Sequence, residues 1–259
     1  MVYEEYTPPG SLRAAIASFW RFELEARDPD VVEHAIPPDG GVSLAVGWSE
    51  RGVERVVVVG PRLSALRVPA RREVRYVGVR TTPGGAGALL GLPARALRDR
   101  VAPLEELARP RAMELAGALA DVADPSELLD RLARTVAAWV ARTPALDPAV
   151  AAMVRRVLSA RGQLRVSAVA EGTGLGYRQA LRRFVEAVGL SPKELARLAR
   201  LRQACLAALG AEAPTWAAVS ASAGYSDQAH LTREFSEVFG WPPGLVREYL
   251  RRIEHIHVR

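Results

Sequence analysis

Gln228, His230, Thr232 and Arg233 are polar residues interleaved with Leu231, Phe235 and Phe239, three apolar residues at four-residue spacing. That spacing stacks the apolar three on one helix face and turns Gln228, Thr232 and Arg233 away from it. The chemistry open to such a polar face is paired hydrogen bonding. A guanidinium matches the two acceptors on a guanine edge, and a carboxamide matches the donor and acceptor on an adenine edge, each worth ~1–3 kcal/mol of discrimination. Arg233 and Gln228 are therefore the first choice for reading DNA, with Thr232 and His230 as secondary contacts. Any one arginine suits a phosphate about as well as a base.

The elements that must position these residues are legible on either side. Gly224 supplies a tight turn, and Ser226 or Asp227 can accept the orphan backbone N–H groups that open the next helix. Gly240 ends that helix, and Pro242-Pro243 prevents its continuation. The same order of parts occurs earlier, from Val166 to Pro192. Val169 matches Val219 and Gly174 matches Gly224 at one offset; Phe184, Gly189 and Pro192 match Phe235, Gly240 and Pro243 at an offset one residue longer. The slip lies between the turn and the recognition helix, which leaves the register of the first recognition helix open. Two tandem helix-turn-helix units are the reading. In the first, Arg178 and Arg182 are the candidate DNA contacts. Pro192–Leu209, rich in Ala, Leu and Arg, predicts one helix joining the units, roughly 27 Å long at ~1.5 Å per residue. With the bodies of the units added, the recognition helices reach two successive major grooves about 34 Å apart. A monomer would favour a non-palindromic site, and a homodimer direct repeats.

Charge follows this division. The net charge is +6; residues 150–259 hold 16 basic and 9 acidic side chains, or +7, and residues 1–149 hold 19 and 20, or −1. The whole positive excess accompanies the helix-turn-helix units, as a phosphate-contacting domain requires. Lys193 is the single lysine, so the abundance of arginine is partly compositional; the asymmetry between the halves is not. No apolar run approaches the length of a membrane span, and the N-terminus lacks the basic and apolar regions of a signal peptide. Cys205, the only cysteine, excludes an internal disulfide and reads as a packed small side chain. A cytoplasmic protein with no cofactor is expected.

The first hundred residues read as strands and turns. Val42–Val46, Val53–Val59 and Val74–Val79 are β-branched runs between dense Gly and Pro punctuation, suited to a small antiparallel sheet or barrel. Leu12–Phe22 reads as a short amphipathic segment. Leu104–Leu119 and Ser126–Val140 read as helices, the second capped by Asp124-Pro125-Ser126. Thr143–Pro148, with two prolines, reads as a linker. The fold expected is α+β: a small N-terminal β-barrel sensor with bridging helices, then an all-α domain of two helix-turn-helix units. The divisions are 1–142 for sensing and dimerisation, 143–149 as linker and 150–259 for DNA.

Residues from about 150 to 250 resemble the DNA-binding domain of the AraC/XylS transcription regulators. Gly224-Tyr225, Leu231, Arg233, Phe235, Phe239-Gly240 and Pro243 carry the resemblance. The family pattern has a larger apolar residue where this chain has Ala180; if Leu181 takes over its anchoring, the helix is rotated and Arg183 replaces Arg182. The N-terminal half resembles the cupin-like barrel of one branch of these regulators, through Phe19-Trp20, Pro37–Gly40 with Leu44, Gly60-Pro61, Gly78–Arg80, Pro83-Gly84 and Leu90-Gly91. The resemblance implies a transcription regulator whose partners are double-stranded DNA, a small-molecule effector, a second copy of the chain and, for an activator, RNA polymerase. Trp20, Phe22, Trp48 and Tyr76 are candidates to line the effector pocket with Asp39 and Arg80 as polar anchors, or else they form the barrel core.

Other classes fit less well. Gly85–Gly91 imitates a dinucleotide-binding loop, but the spacing is off by one and no strand–helix–strand succession follows. A metal-dependent cupin enzyme needs converging ligands, and the N-terminal half offers His34 alone; His255 and His257 read as a frayed tail. A DNA-repair methyltransferase fusion needs reactive cysteines, and Cys205 has no partner. A regulator that binds DNA constitutively, with a purely structural N-terminal domain, remains the alternative from a different class.

Overall fold

The computed structural model describes residues 1–122, 124, 126–210 and 214–258, with residues 166–167 and 254–258 described by their backbone. Among the described residues seven strands form the main sheet: β1 (Val2–Tyr6), β2 (Ile16–Glu23), β4 (Ser43–Ser49), β5 (Gly52–Val59), β7 (Arg75–Thr81), β8 (Val101–Pro103) and β9 (Glu254–Val258). Their order is β8-β5-β4-β7-β2-β1-β9, antiparallel throughout except for the parallel β1–β9 pair. β3 (Val31–Ile36) and β6 (Leu66–Arg71) pair with each other in a separate ribbon.

The expected barrel is therefore an open sheet among the described residues. Its edges are β8, three residues long and followed directly by a helix, and β9. The segment Leu12–Phe22 is likewise not an amphipathic unit. A 3₁₀ turn at Gly10–Leu12 gives way to β2, whose alternate residues serve two cores. Phe19 joins Leu44, Val46, Val77 and Val79 beneath the helices. Trp20 and Phe22 face the other way, with Leu24, Met1, Ala70 and Ile253. Burial on both faces explains why the middle of β4, Leu44–Trp48, reads as an unbroken apolar run.

Three helices cover the first face: α1 (Ala86–Leu90), α2 (Leu104–Leu119) and α3 (Ser126–Ala141). Pro110 lacks an N–H and its ring crowds the carbonyl four residues earlier, and α2 breaks at Ala108, with φ −148° and ψ 69°. α3 buries Leu128, Leu132, Val136 and Trp139 at helical spacing. Its cap is Asp124, whose carboxylate accepts the Ser126 N–H at 2.8 Å; Pro125 lies outside the described residues.

The linker has no helix or strand and ends at Asp147, which caps α4 (Pro148–Ser159). A 3₁₀ turn at Val166–Ala170 follows, then α5 (Tyr177–Val188), α6 (Pro192–Ala208), α7 (Trp216–Ala223), α8 (Gln228–Phe239) and α9 (Pro243–Arg252). α6 begins with a capping box, Ser191 and Glu194 each bonding the other's backbone. Two separate cores result, one around Phe184 and one around Phe235. The chain then returns to the sensor: Ile253 enters the second core of the sheet and β9 joins β1. The last residues of the DNA-binding portion thus complete the sensor. His255 and His257, expected in a frayed tail, lie in this strand, because the β1 edge offers backbone groups that need partners. No helix among the described residues is long and apolar enough to cross a membrane.

Candidate nucleic-acid interface

The second unit is built as the sequence requires. Gly224 closes α7 in the left-handed region at φ 78°. Asp227 then caps α8, its carboxylate accepting the His230 N–H at 2.6 Å, and hydrogen bonding from that donor and from Ser226 lowers its pKa. Leu231, Phe235, Val238 and Phe239 are buried. Gln228 and Arg233 are exposed, and their side chains make no hydrogen bond or ion pair among the described residues. His230 and Thr232 are half-buried and locally engaged. The Thr232 hydroxyl donates to the Gln228 carbonyl at 2.9 Å, and the His230 ring lies edge-on to Tyr225 and shares a hydrogen bond with Ser226. The free groups on the face are thus the carboxamide and the guanidinium.

α5 resolves the register of the first unit. Ala180, Phe184 and Val188 are fully buried, in the places of Leu231, Phe235 and Phe239, and Leu181 is only half-buried. The rotated alternative is not adopted: Ala180 itself takes the buried position in the core around Phe184, which Leu63 and Leu146 help to cover. Arg182 accordingly occupies the place of Arg233, while Arg183 is drawn aside by Asp147 at 3.0 Å. Arg178 is exposed near the start of the helix. The first helix of this unit is reduced to a 3₁₀ turn. Gly172 and Gly174 take positive φ after it, and Arg156 of α4 donates to the carbonyls of Ala168, Val169 and Glu171.

Buried Glu234 fixes α8 to α6: Arg197 binds it at 2.8 Å and reaches Glu237 at 2.5 Å. Contacts with the sensor are equally specific. Gly189 ends α5 at φ 76°, and a Cβ there would lie 2.6 Å from Pro61 and 2.7 Å from the Ala94 carbonyl. Arg67 donates to the Phe239 carbonyl at 2.7 Å and lies over Trp241. The Tyr249 hydroxyl accepts the Ala35 N–H at 2.8 Å and is 2.7 Å from His34 Nδ1. Arg98 grips Glu194 at 2.7 Å. None of these long-range partners has a signature in local sequence.

The Arg98 hydrogen bonds hold the Glu194 carboxyl at about 2, against an ordinary 4.5. A depressed carboxylate stabilises the fold fully above its unfolded pKa, and that contribution is lost as pH falls through the folded one. Wild type is therefore expected to exceed Glu194→Gln by about 1–2 kcal/mol near pH 6, allowing for partial solvent screening. Denaturant titrations should converge between pH 4.5 and about 2. A gap independent of pH would mean that the carboxylate's charge contributes nothing.

The six candidate effector residues do not share one pocket. Trp20, Phe22 and Tyr76 pack in the core containing Ala70 and Ile253, with Phe22 stacked on His34 at 4.2 Å, whereas Trp48 is on the opposite face of the sheet. Strand parity separates them, and parity is hidden when strand boundaries are unknown. Asp39 and Arg80 do meet, Nε to Oδ2 at 3.0 Å. Arg80 also reaches Glu5 at 3.2 Å and donates to the Tyr3 hydroxyl at 3.1 Å, which itself donates to Glu5 at 2.6 Å. Burial alone would lower the guanidinium's pKa; Asp39, Tyr3 and Glu5 outweigh it and keep Arg80 charged. This cluster borders a cleft of about 210 Å³ whose far wall is α6, at Leu201, Arg202 and Cys205. Burial pushes the Cys205 thiol up to about 12, which leaves it unreactive. The Gly85–Gly91 stretch is the five-residue α1 with its two caps, after a strand whose neighbours are both antiparallel, so it opens no dinucleotide-binding unit.

Residues 169–249 match the family model of a helix-turn-helix domain. The C-terminal portion is an AraC-type DNA-binding domain. Residues 4–103 match a family described as a domain of unknown function (DUF6597). No curated protein matches the chain. Similar solved structures include ToxT from Vibrio cholerae O395, 8% identical over 91% of this chain and 96% of that one, with a TM-score of 0.43. Unsaturated fatty acid bound wild-type ToxT from Vibrio cholerae strain SCE256 is 12% identical over 89% and 98%, with a TM-score of 0.42. ToxT from Vibrio cholerae O395 bound to (E)-4-(8-methylnaphthalen-1-yl)but-3-enoic acid is 11% identical over 90% and 97%, with a TM-score of 0.44. The helix-turn-helix domain of this chain is a DNA-binding domain.

Proposed function

We propose that the chain regulates transcription by reading two successive major grooves, α8 through Arg233 and Gln228 and α5 through Arg182 and Arg178. The observation that carries this is the common burial register of α5 and α8, joined by one helix. At ~1.5 Å per residue, α6 spans about 25 Å, which with the bodies of the units approaches the ~34 Å repeat of the duplex. Residues 1–142 act as the sensor, 143–149 as the linker and 150–259 as the DNA-binding portion. The chain works in the cytoplasm, without catalysis of its own.

The cleft beside Arg80 supports an effector role for the sensor. A small molecule there touches the sheet and α6 together, and so distinguishes arrangements of the two parts by differential affinity. The Asp39 loop also bears on α6, since a methyl group added at Gly40 would lie 2.6 Å from Leu195 Cδ1. Selection of genomic fragments by the full-length protein, followed by footprinting, is expected to show two protected major grooves one turn apart on one face. Protection of a single groove, or binding without sequence preference, would remove the tandem reading. Once a fragment is in hand, an effector found by thermal-shift screening should bind with different affinity to the free and the DNA-bound protein. Equal affinity would favour a constitutive regulator.

A further inference from the structure

A groove of about 1010 Å³ separates the sensor from the first helix-turn-helix unit, and it shares no residue with the Arg80 cleft. It is bounded by α1 with the preceding Gly84-Gly85, by the end of α3 with the linker, and by α5. The side chains facing it are small and apolar, among them Ala14, Ala88, Leu92, Val140, Ala145 and Leu146. Its charged side chains pair off along the wall nearest α5. Arg183 is held by Asp147 at 3.0 Å and Arg95 by Glu186 at 3.4 Å. Arg182 is left as the one charged group lining the groove that has no partner among the described residues.

Gly87 shows that the space is built in. It lies inside α1 without a positive φ, and a Cβ added there would meet nothing within 4 Å. Glycine within a helix costs ~1 kcal/mol relative to alanine, and here neither backbone conformation nor crowding demands it. Gly85, two residues earlier, differs: its Cβ would lie 2.2 Å from the Ala15 carbonyl oxygen. One glycine of the stretch serves close packing, and the other keeps the floor of the groove open.

We propose that this groove binds a small organic anion, an apolar carboxylate whose body lies over α1 and the linker and whose charge pairs with Arg182. A monoanion fits better than a phosphate dianion, because Asp147 and Glu186 stand on the same wall. The volume is that of a ligand site. Occupancy ties up the guanidinium assigned to the first major groove, so ligand and operator compete. That regulatory half rests on the proposed DNA role of Arg182; the site itself does not.

The test uses the full-length protein with biphenyl-4-carboxylate and its uncharged amide, biphenyl-4-carboxamide, as probes in calorimetry. The carboxylate is expected to bind saturably and to weaken binding to the selected DNA fragment. Affinity should fall at least tenfold for the amide, for Arg182→Gln, and for Gly87→Trp and Ala145→Trp, which fill the groove from α1 and from the linker. Circular dichroism and melting show whether each filled variant is folded, and one folded variant suffices. No saturable binding to wild type, equal binding of the amide, or undiminished binding to a folded filled variant overturns the site. If the probe behaves as expected but Arg182→Gln leaves DNA affinity unchanged, the groove stands and the regulatory half falls.

Discussion

Phe235→Ala is expected to destabilise the second helix-turn-helix unit by about 3–5 kcal/mol, the cost of emptying a large aromatic site in a packed core. Phe235 is 1% exposed, with the Trp216 ring edge-on at 6.0 Å and the Phe239 ring at 5.7 Å. Small domains are stable by only about 5–15 kcal/mol in total, so this loss removes much of what holds α7, α8 and α9 together. The first unit has its own core, so the damage should be local. Denaturant unfolding should show an early transition, and footprinting should lose one groove before the other. A single unshifted transition would mean that α6 and Arg197 hold the second unit without its aromatic core.

Arg233→Ala is expected to weaken binding to the specific site by ~1–3 kcal/mol, roughly a five- to 150-fold loss. Binding to unrelated sequence should change little, and discrimination should relax at the bases facing the second unit. The exposed, unpartnered guanidinium on a helix otherwise anchored by its buried face is the basis of this expectation. Competition binding at two salt concentrations decides it. A uniform loss across all sequences, with the salt slope reduced by about one, would make Arg233 a phosphate contact.

Local signals carried the helical portion far. Leu104–Leu119 has the bounds the sequence predicts but breaks at Ala108, Ser126–Ala141 ends one residue later and Pro192–Ala208 one residue earlier, because periodicity, caps and prolines all act within a few residues. The slip between Gly174 and Phe184 was also legible, though only burial of Ala180 beside Leu181 decides which arginine follows it. The sheet was harder. β3 carries Glu33 and His34, and β6 carries Pro69, so neither resembles a core strand; each exists because it pairs with the other. The candidate effector residues are divided for a related reason, since Trp48 and Trp20 are similar in type but pack on opposite sides of one sheet. The pairs that seat the sensor on the DNA-binding portion, Arg98 with Glu194 and Tyr249 with His34, bring together residues far apart in the chain. No local pattern announces such a pair.

Pairing of the first strand with the last sets a schedule for synthesis. At ~5–20 residues per second, a ribosome needs roughly 13–50 s to travel from Val2 to Glu254. Throughout that interval β1 has β2 on one side and nothing from its own chain on the other. A nascent sensor is therefore open along one edge to strands of neighbouring chains on the same message. Fusions that slow release of the C-terminus should lengthen that exposure and lower the soluble yield.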